Sequence, residues 1–334
     1  MEETLLLKVN GLRTHFITKD GILPAVDNVS FELQKGQVLG VVGESGCGKS
    51  VMSMSILKLI EKYGGTIMEG SSVCLSGREL LELSEREMCN IRGKEISMIS
   101  QDPMTALNPV FTIGQQMVEA ICRHKKISKK EAGKLAVGWL EKVGISEAEK
   151  RMKEYPHQLS GGMCQRVVIA MALSCNSKIL IADEPTTALD VTIQAQILDL
   201  FREMKKQTDA AVILITHDMG VVADMADHIM VMYAGKAVEY GSKQQIFNEP
   251  RHPYTQGLLA SVPKLDMQVE KLYSIPGTVP NLKKPIRGCV FCERCPKASK
   301  RCAEACPPQV VMKDDGKVSC WLYAETEETI DDRS

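Results

Sequence analysis

Residues 38–50 read VLGVVGESGCGKS, and this stretch decides the fold class. Its first five residues are apolar and suit a buried strand, while residues 43–50, called the P-loop below, fit the pattern G-x-x-x-x-G-K-[ST]. Glycines let the backbone N–H groups of such a loop turn around phosphates, and the helix that follows presents an N-terminus that favours anions. We expect Lys49 to neutralise the β- and γ-phosphates of a nucleotide and Ser50 to bind Mg²⁺. The candidate nucleotide-binding residues of this stretch are Gly43, Ser45, Gly46, Cys47, Gly48, Lys49, Ser50 and Val51.

Further strands and helices place the P-loop in an α/β domain. Residues 178–182, which are apolar after Lys178, and residues 211–215 are strand-like, and each is followed by charged residues and then a helical stretch. Strand–loop–helix units in this order predict a mainly parallel core sheet. Residues 4–9 and 29–33 have β-type patterns and are expected to form antiparallel strands. A helix is predicted from about residue 49 to residue 60.

Two adjacent carboxylates follow the apolar residues 179–182. Asp183, at the carboxyl end of the expected strand, is placed to hold Mg²⁺ through water, and Glu184 can polarise an attacking water. The alternative is a surface acidic pair before a turn, which the buried strand directly upstream disfavours. Asp183 and Glu184 are therefore candidate residues for nucleotide hydrolysis.

Composition argues against several function classes. The 334 residues carry a formal net charge of −1 and 4% aromatic residues, so neither charge nor base stacking favours a nucleic-acid partner. No apolar run approaches the roughly 18 residues of a membrane-spanning helix. The N-terminus begins with acidic residues and lacks the apolar segment of a signal peptide. We therefore expect the protein to stay in the cytoplasm.

Residues 159–166 read LSGGMCQR and resemble the LSGGQ signature of ABC ATPases. The resemblance implies that two ATPase domains face each other head to tail, with ATP between the P-loop of one and the signature of the other. Ser160, Gly161 and Gly162 would then present a helix N-terminus and backbone amides to the γ-phosphate on the partner domain. The chain departs from the general family at Met163, where Gln is usual, but Met also occurs in the peptide-importer branch.

The remaining ABC motifs follow in the family's order. Gln101, within ISQDP at residues 99–103, resembles the Q-loop glutamine, which touches Mg²⁺ and relays contact with membrane subunits. Residues 188–190 resemble the D-loop. His217 resembles the switch histidine, which positions the attacking water and senses the γ-phosphate. The resemblance also implies that Glu184 is the general base.

The family stacks an aromatic ring on the adenine, upstream of the P-loop. Phe16 is the candidate for this ring, with Val26 packing beneath it. Phe31 is the competing aromatic residue, and its position fits the core better. Phe16 and Val26 are therefore included among the expected nucleotide-binding residues.

The resemblance implies the fold of an α/β P-loop ABC ATPase. This fold has a mainly parallel core sheet, an antiparallel β subdomain and an α-helical subdomain, here at about residues 102–158, which docks on membrane subunits. We place the nucleotide-binding domain at residues 1–250, because proline becomes frequent and periodicity fades at residues 249–253. A small cysteine-rich C-terminal extension at residues 251–324 and an acidic tail at residues 325–334 follow.

The extension resembles that of ATP-binding subunits from oligopeptide, dipeptide and nickel importers. The resemblance rests on RHPYT at residues 251–255, LLASVP at 258–263, GCVFCERCP at 288–296 and the pair Cys320-Trp321. Some members of this branch carry a [4Fe–4S] cluster held by four cysteines of this region. Carrying the family pattern over by position selects Cys289, Cys295, Cys302 and Cys320.

Cysteine usage leaves other interpretations of this region open. Six of the twelve cysteines lie near the C-terminal end, namely Cys289, Cys292, Cys295, Cys302, Cys306 and Cys320, and the others are expected to be small core residues. In a reducing cytosol such a concentration favours a metal site over disulfides. By spacing alone, Cys289, Cys292 and Cys295 with a later Cys-Pro echo a ferredoxin motif, although the last gap is too long. Zn²⁺ bound by four cysteines, or thiols without metal, are the alternatives.

Together these features favour an ATP-hydrolysing subunit that powers an ABC importer of di- or oligopeptides from the cytoplasmic face of the membrane. Its expected partners are a second ABC ATPase subunit (identical or related), two transmembrane permease subunits and, indirectly, an extracellular substrate-binding protein, but no nucleic acid. Import of nickel or another metal chelate is the alternative substrate class. More distant alternatives are a soluble non-transport ABC ATPase with a zinc module and a regulatory protein that binds nucleotide without turnover. The presence of Glu184 and His217 disfavours the last of these.

Overall fold

The computed structural model describes residues 5–19, 21–187, 189–262, 273–283 and 286–324. The strands are β1 (Leu5–Thr18), β2 (Gly21–Gln34), β3 (Val38–Val42), β4 (Gly65–Ile67), β5 (Ser72–Leu75), β6 (Arg78–Glu79), β7 (Ile96–Ile99), β8 (Ile179–Asp183), β9 (Ala211–Ile215), β10 (His228–Tyr233), β11 (Lys236–Ser242), β12 (Val310–Val311) and β13 (Lys317–Val318). The helices are α1 (Lys49–Ile56), α2 (Glu85–Ile91), α3 (Pro103–Ala106), α4 (Ile113–His124), α5 (Lys129–Lys142), α6 (Ala148–Arg151), α7 (Gly161–Ser174), α8 (Val191–Thr208), α9 (Met219–Met225), α10 (Lys243–Asn248), α11 (Pro253–Ala260) and α12 (Lys300–Glu304). Short 3₁₀ helices occur at Ile60–Tyr63, Pro156–Gln158 and Cys292–Arg294.

The chain divides into two compact units. Unit 1 consists of Met1–Leu5, Leu33–Val38 and Glu82–Ile215, and unit 2 consists of Leu6–Glu32, Leu39–Leu81 and Thr216–Ser334. Among the described residues, no helix is both long and apolar enough to span a membrane. The predicted acidic tail lies outside the described residues, and the predicted domain boundaries stay predictions.

The core of unit 1 is a parallel sheet of β7, β8 and β9. Ile99 is paired with Ala182, and Asp183 is paired with Ile215, so the carboxyl ends of the strands lie at one edge. All residues of β8 and β9 are buried. Burial of both faces explains why these strands read as continuous apolar runs rather than as alternating patterns. The strand predicted at residues 211–215 is confirmed, and the strand predicted at 178–182 is shifted by one residue to include Asp183.

Helices α3 to α6 fill the region predicted to be helical, at about residues 102–158. Neighbouring residues in the sequence determine where α4 and α5 begin. Thr112 and Ser128 accept hydrogen bonds from the backbone N–H groups of Gln115 and Glu131, whose side chains in turn bind the backbone of the capping residues. These capping boxes satisfy N–H groups that a helix N-terminus leaves without a partner, and they therefore set where α4 and α5 begin.

Unit 2 contains antiparallel strands together with the parallel pair β3 and β10. In one sheet the strand order is β2-β1-β5-β6, and β4 also pairs with β1. The strands predicted at residues 4–9 and 29–33 are present within β1, from Leu5 onward, and within β2, and residue 4 lies outside the described part of the chain. Each of these strands extends over 14 residues. In the other sheet, β10 pairs with β3 and β11, and β11 pairs with β13. Because β12 and β13 come from the C-terminal extension, the extension contributes strands to the sheet that carries β3.

Helix α1 ends earlier than the sequence predicts. The predicted helix reaches residue 60, but α1 ends at Ile56. Lys58 has a left-handed backbone with φ of 51°, and its N–H group donates to the Ser55 carbonyl rather than continuing the helical pattern. A left-handed residue directly after a helix closes the final turn and redirects the chain. Residues Ile60–Tyr63 then form a separate 3₁₀ turn.

Candidate functional site

The P-loop of unit 2 is a tight turn between β3 and α1. All five residues of β3 are buried, and the loop leaves the strand at Gly43, which has φ of 154°. A Cβ atom at Gly43 would lie 2.2 Å from the Met232 carbonyl oxygen, and one at Gly48 would lie 2.3 Å from the Ala25 carbonyl oxygen. The loop therefore needs glycine at both positions, because any side chain would collide with neighbouring backbone.

The side chain of Lys49 is held by backbone carbonyls of the P-loop. Its side-chain Nζ donates to the carbonyl oxygens of Gly43, at 2.7 Å, and Glu44, at 3.0 Å. Lys49 is buried, Ser50 and Val51 are half-buried in the first turn of α1, and Ser45 and Gly46 are exposed at the tip. The positive charge and the N-terminus of α1 lie next to the exposed tip, an arrangement suited to binding phosphates.

Cys47, the cysteine of the P-loop, is packed inside the protein. Cys47 is 1% exposed, and its carbonyl accepts a hydrogen bond from the N–H of Gly235 at 3.0 Å. Burial raises the pKa of the Cys47 thiol, and the nearby Lys49 charge partly offsets this effect. Cys47 is therefore a neutral buried thiol, consistent with a structural part in shaping the loop.

The two residues expected to contact the adenine lie in unit 2. Phe16 on β1 is half-buried and is paired with Gly65 of β4, whereas Val26 on β2 is fully buried. Phe31 is 2% exposed, which confirms that it belongs to the core. A half-buried ring can offer one face to a ligand, but stacking on adenine stays a prediction.

Asp183 and Glu184 lie at the carboxyl end of β8 in unit 1. Both are buried, and Glu184 Oε2 accepts a hydrogen bond from Thr187 Oγ1 at 2.8 Å. Glu184 has φ of 50°, a left-handed backbone that is uncommon for a residue with a side chain. Its N–H group donates to the Ile215 carbonyl at 2.9 Å, which holds the strained residue in place. Such strain concentrates at functional positions.

Gln101 and His217 each lie two residues beyond a strand. Gln101 follows β7 and is exposed, at the same sheet edge as Glu184 in unit 1. His217 follows β9 and is exposed in unit 2. The residue before it, Thr216, donates its N–H to the carbonyl of Val41 in β3 at 3.2 Å. The His217 segment is thus tied to the strand that leads into the P-loop.

The signature residues form the N-terminus of α7 in unit 1. Ser160 caps this 14-residue helix by accepting a hydrogen bond from the N–H of Met163, and Ser160 and Gly161 are exposed. Further along α7, Gln165 is buried and its side-chain amide donates to the Pro185 carbonyl at 3.0 Å. The signature helix is therefore connected to the turn that follows Glu184. Of the D-loop, Ala188 lies outside the described residues, and Asp190 caps α8.

A contact between the P-loop and the extension was not predicted from the sequence. Arg294 forms an ion pair with Glu44 of the P-loop, and Tyr254 accepts a hydrogen bond from the N–H of Glu44. Arg294 lies between two cysteines in a segment that reads FCERC. Its placement in a cysteine-rich loop gives no local sign of a partner so far away.

Five of the C-terminal cysteines line one cavity of about 270 Å³ in unit 2, called the cysteine cavity below. They are Cys289, Cys292, Cys295, Cys302 and Cys320. Cys306 is exposed, and its thiol donates to the Gly288 carbonyl. All these cysteines are free thiols. Burial raises the pKa of Cys289 to about 12, so its thiol is neutral near pH 7.

The cysteine cavity is not a formed metal site. Within the parts of the chain that the structure describes, no group of three or more His, Cys, Asp or Glu side chains is arranged to hold a metal ion. The thiols surround a cavity without meeting at one point, so the predicted ligand set of Cys289, Cys295, Cys302 and Cys320 is not confirmed. All four members of the predicted set do line the same cavity.

A glycine-rich loop with a buried lysine, set between a buried strand and a helix, defines the chain as a P-loop nucleotide-binding protein. Residues 26–187 match the model of the ABC transporter family, and residues 238–302 match the model of the oligopeptide/dipeptide transporter C-terminal region. The second match covers part of the cysteine-rich extension.

Known proteins are similar over nearly the whole chain. The dipeptide transport ATP-binding protein DppD of Bacillus subtilis is 53% identical, with 97% of this chain and 96% of that protein covered. The oligopeptide transport ATP-binding protein OppD of Salmonella typhimurium is 50% identical, with 91% of this chain and 90% of that protein covered. A dimeric post-hydrolysis structure of the ATP-binding cassette MJ0796 bound to ADP and Pi is 26% identical, with a TM-score of 0.64, and covers 71% of this chain and 99% of that one.

The chain therefore belongs to the ABC transporter family, among ATP-binding proteins like those of oligopeptide and dipeptide transporters. The predicted family resemblance, the P-loop ABC ATPase fold and the ATPase class are confirmed. The roles assigned to individual residues stay predictions.

Proposed function

We propose that the chain hydrolyses ATP to power the import of di- or oligopeptides, acting at the cytoplasmic face of a membrane. The supporting observation is 53% identity over 97% of the chain to a dipeptide transport ATP-binding protein. Two permease subunits in separate chains, a second ATPase subunit and, indirectly, an extracellular substrate-binding protein complete the proposed importer. The dimeric form of the similar cassette MJ0796 supports the pairing of two ATPase subunits.

The P-loop of unit 2 is proposed to bind the triphosphate of ATP. Lys49 exchanges its hydrogen bonds to the Gly43 and Glu44 carbonyls for charge-assisted bonds to phosphate oxygens. Ser50, at the start of α1, supplies a hydroxyl for Mg²⁺, which when bound neutralises charge on the phosphates. Phe16 offers its exposed face to the adenine, with Val26 fixed beneath it.

The residues of unit 1 are proposed to activate the attacking water and to contact the γ-phosphate. Glu184 accepts a proton from the attacking water, and Thr187 orients its carboxylate. Gln101 would supply an oxygen ligand for Mg²⁺, and Asp183 would hold the ion through water. Ser160, Gly161 and Gly162 present the N-terminus of α7 to the nucleotide of a second ATPase subunit. His217 belongs to unit 2, and its proposed role is to position water and to sense the γ-phosphate.

For the cysteine cavity we propose a [4Fe–4S] cluster held by Cys289, Cys295, Cys302 and Cys320, with Zn²⁺ as the alternative. The donor chemistry fits, because four thiolates suffice for either centre and five cysteines line the cavity. Binding would require displacement of thiol protons and convergence of the side chains. Such a centre would supply structural cross-links to the loops that surround the cavity.

The metal proposal predicts a metal content that depends on particular cysteines. Anaerobically purified protein is expected to contain about four iron and four sulfide per chain, with visible absorption from the cluster. Serine at any one of Cys289, Cys295, Cys302 or Cys320 should reduce iron content, whereas Cys306→Ser, at an exposed thiol outside the cavity, should not. Stoichiometric zinc would favour the alternative, and protein without either metal would rule out both.

Transport of peptides can be tested with the assembled importer. Vesicles that contain this chain, its second ATPase subunit and its permeases should accumulate labelled di- and tetrapeptides with ATP but not with ADP. Nickel in place of peptide should not accumulate. Uptake of nickel without uptake of peptides would overturn the peptide assignment in favour of the metal-chelate alternative. ATP turnover without any uptake, and without effect of the permeases, would instead indicate a non-transport ATPase.

A further inference from the structure

Arg294, a nearly buried arginine of the extension, forms an ion pair with Glu44 of the P-loop. Arg294 Nη1 lies 2.7 Å from Glu44 Oε2, and Nη2 lies 2.9 Å from Glu44 Oε1, so the pair is bidentate. Arg294 is 8% exposed. A bidentate Arg–carboxylate pair fixes the orientation of both groups, and because Arg294 is nearly buried and Glu44 is half-buried, solvent weakens this pair less than it weakens a surface pair.

The other donors of Arg294 are also used. Nε donates to the Pro276 carbonyl at 2.8 Å, Nη2 to the Ile275 carbonyl at 3.3 Å and Nη1 to the Tyr233 hydroxyl at 3.2 Å. A group with this many fixed partners has little freedom, and it can therefore hold Glu44 in one position.

Glu44 in turn connects to the residue that is proposed to bind phosphate. Its N–H group donates to the Tyr254 hydroxyl at 2.9 Å, and its carbonyl accepts a hydrogen bond from Lys49 Nζ at 3.0 Å. Arg294 thus holds the side chain of Glu44, and Tyr254 holds its N–H group. The carbonyl of Glu44 in turn holds the Lys49 ammonium. Movement of Glu44 would move the hydrogen-bond partner of Lys49.

Arg294 is carried by the loop that also carries the cavity thiols. The cysteine loop, residues 288–296, turns through the 3₁₀ helix Cys292–Arg294, so that Arg294 is flanked by two cysteines that line the cavity. Phe291 of the same loop packs its ring edge-on against Tyr233, with ring centroids 5.2 Å apart, and in a tilted arrangement against Tyr254, at 5.4 Å. The cysteine loop therefore lines the cavity and also contacts Tyr233 and Tyr254 beside the P-loop.

We propose that Arg294 is a positioning residue for nucleotide binding, which makes the ATP affinity of the P-loop depend on the state of the cysteine loop. The chain of contacts runs from Cys292 and Cys295 to Arg294, then to Glu44 and Lys49. This inference rests on the proposal that the P-loop binds ATP, but it does not depend on which substrate is transported or on which metal the cavity holds.

The first test compares Arg294→Ala with Arg294→Lys, using the full chain and a fluorescent ATP analogue to measure Kd. Arg294→Ala should weaken binding on the order of tenfold. KM for ATP should rise more than kcat falls, and Arg294→Lys should recover part of the affinity. Arg251→Ala is the matched control, because Arg251 forms an equally bidentate pair with Asp314 in the same extension. It should leave Kd unchanged even if it lowers the melting temperature.

The second test asks whether the cysteine loop acts through Arg294. Cys292→Ser with Cys295→Ser should weaken ATP binding in the wild-type background but add little in the Arg294→Ala background. Independent, additive effects would refute the coupling, and an unchanged Kd in Arg294→Ala with a lowered melting temperature would show that Arg294 is only structural. If the wild-type chain itself failed to bind the analogue, the nucleotide site would be refuted, and with it this inference.

Discussion

Replacement of Glu184 by glutamine is expected to slow ATP hydrolysis by about 10²- to 10⁴-fold while leaving ATP binding intact. Glutamine keeps the shape of the side chain and can still accept a hydrogen bond from Thr187, as the Glu184 carboxylate does at 2.8 Å. It cannot accept a proton from the attacking water. The loss should therefore appear in kcat and not in the affinity for nucleotide.

Phosphate release measures the rate, and a fluorescent ATP analogue measures binding. Glu149→Gln is a suitable control, because Glu149 is an exposed glutamate on α6 in the same unit. This control should hydrolyse ATP at the wild-type rate. Hydrolysis by Glu184→Gln at the wild-type rate would show that another group acts as the base.

The second large effect is expected at Lys49. Lys49→Met should weaken ATP binding by about a hundredfold, since hydrogen bonds to charged groups contribute about 1.5–3 kcal/mol. The lysine is 7% exposed, and its ammonium is held by the Gly43 and Glu44 carbonyls at the mouth of the loop. Methionine preserves the aliphatic stem and its packing but removes the charge that the phosphates would bind.

Equilibrium binding and the melting temperature separate loss of charge from loss of fold. Lys8→Met provides the comparison, because Lys8 forms an exposed ion pair with Glu32 on the surface of the same unit. It should bind ATP like the wild type. Retention of wild-type affinity by Lys49→Met would contradict the assignment of the P-loop as the phosphate site.

Several elements were predictable because their signals are local. The P-loop follows a five-residue buried strand, and its glycines are required by left-handed or crowded backbone at Gly43 and Gly48. The end of α1 was not predicted, because the left-handed Lys58 has no sequence signature of the kind that glycine provides. The hairpin of β10 and β11 was also missed. Its signal was an apolar run followed by Ala234-Gly235, a two-residue turn with positive φ at both positions.

The cysteine region shows the limit of spacing arguments. By spacing alone, Cys289, Cys292, Cys295 and Cys306 echoed a ferredoxin motif with too long a last gap, whereas the family pattern favoured Cys289, Cys295, Cys302 and Cys320. The structure places five of the six cysteines around one cavity and leaves Cys306 exposed. Which cysteines can act as ligands together depends on how the loops approach one another in space. The spacing of cysteines along the chain does not encode this arrangement.

By itself, the sequence determined the class of protein and the residues of the P-loop, the acidic pair and the signature, because each motif acts through contiguous backbone and neighbouring side chains. Only the tertiary structure decided that Arg294 supports the P-loop. Arg294 and Glu44 are 250 positions apart, and the extension brings them together by adding strands β12 and β13 beside β11 and by packing Phe291 on Tyr233. No local pattern encodes such a pair, since its stability comes from the burial and geometry that the folded extension provides.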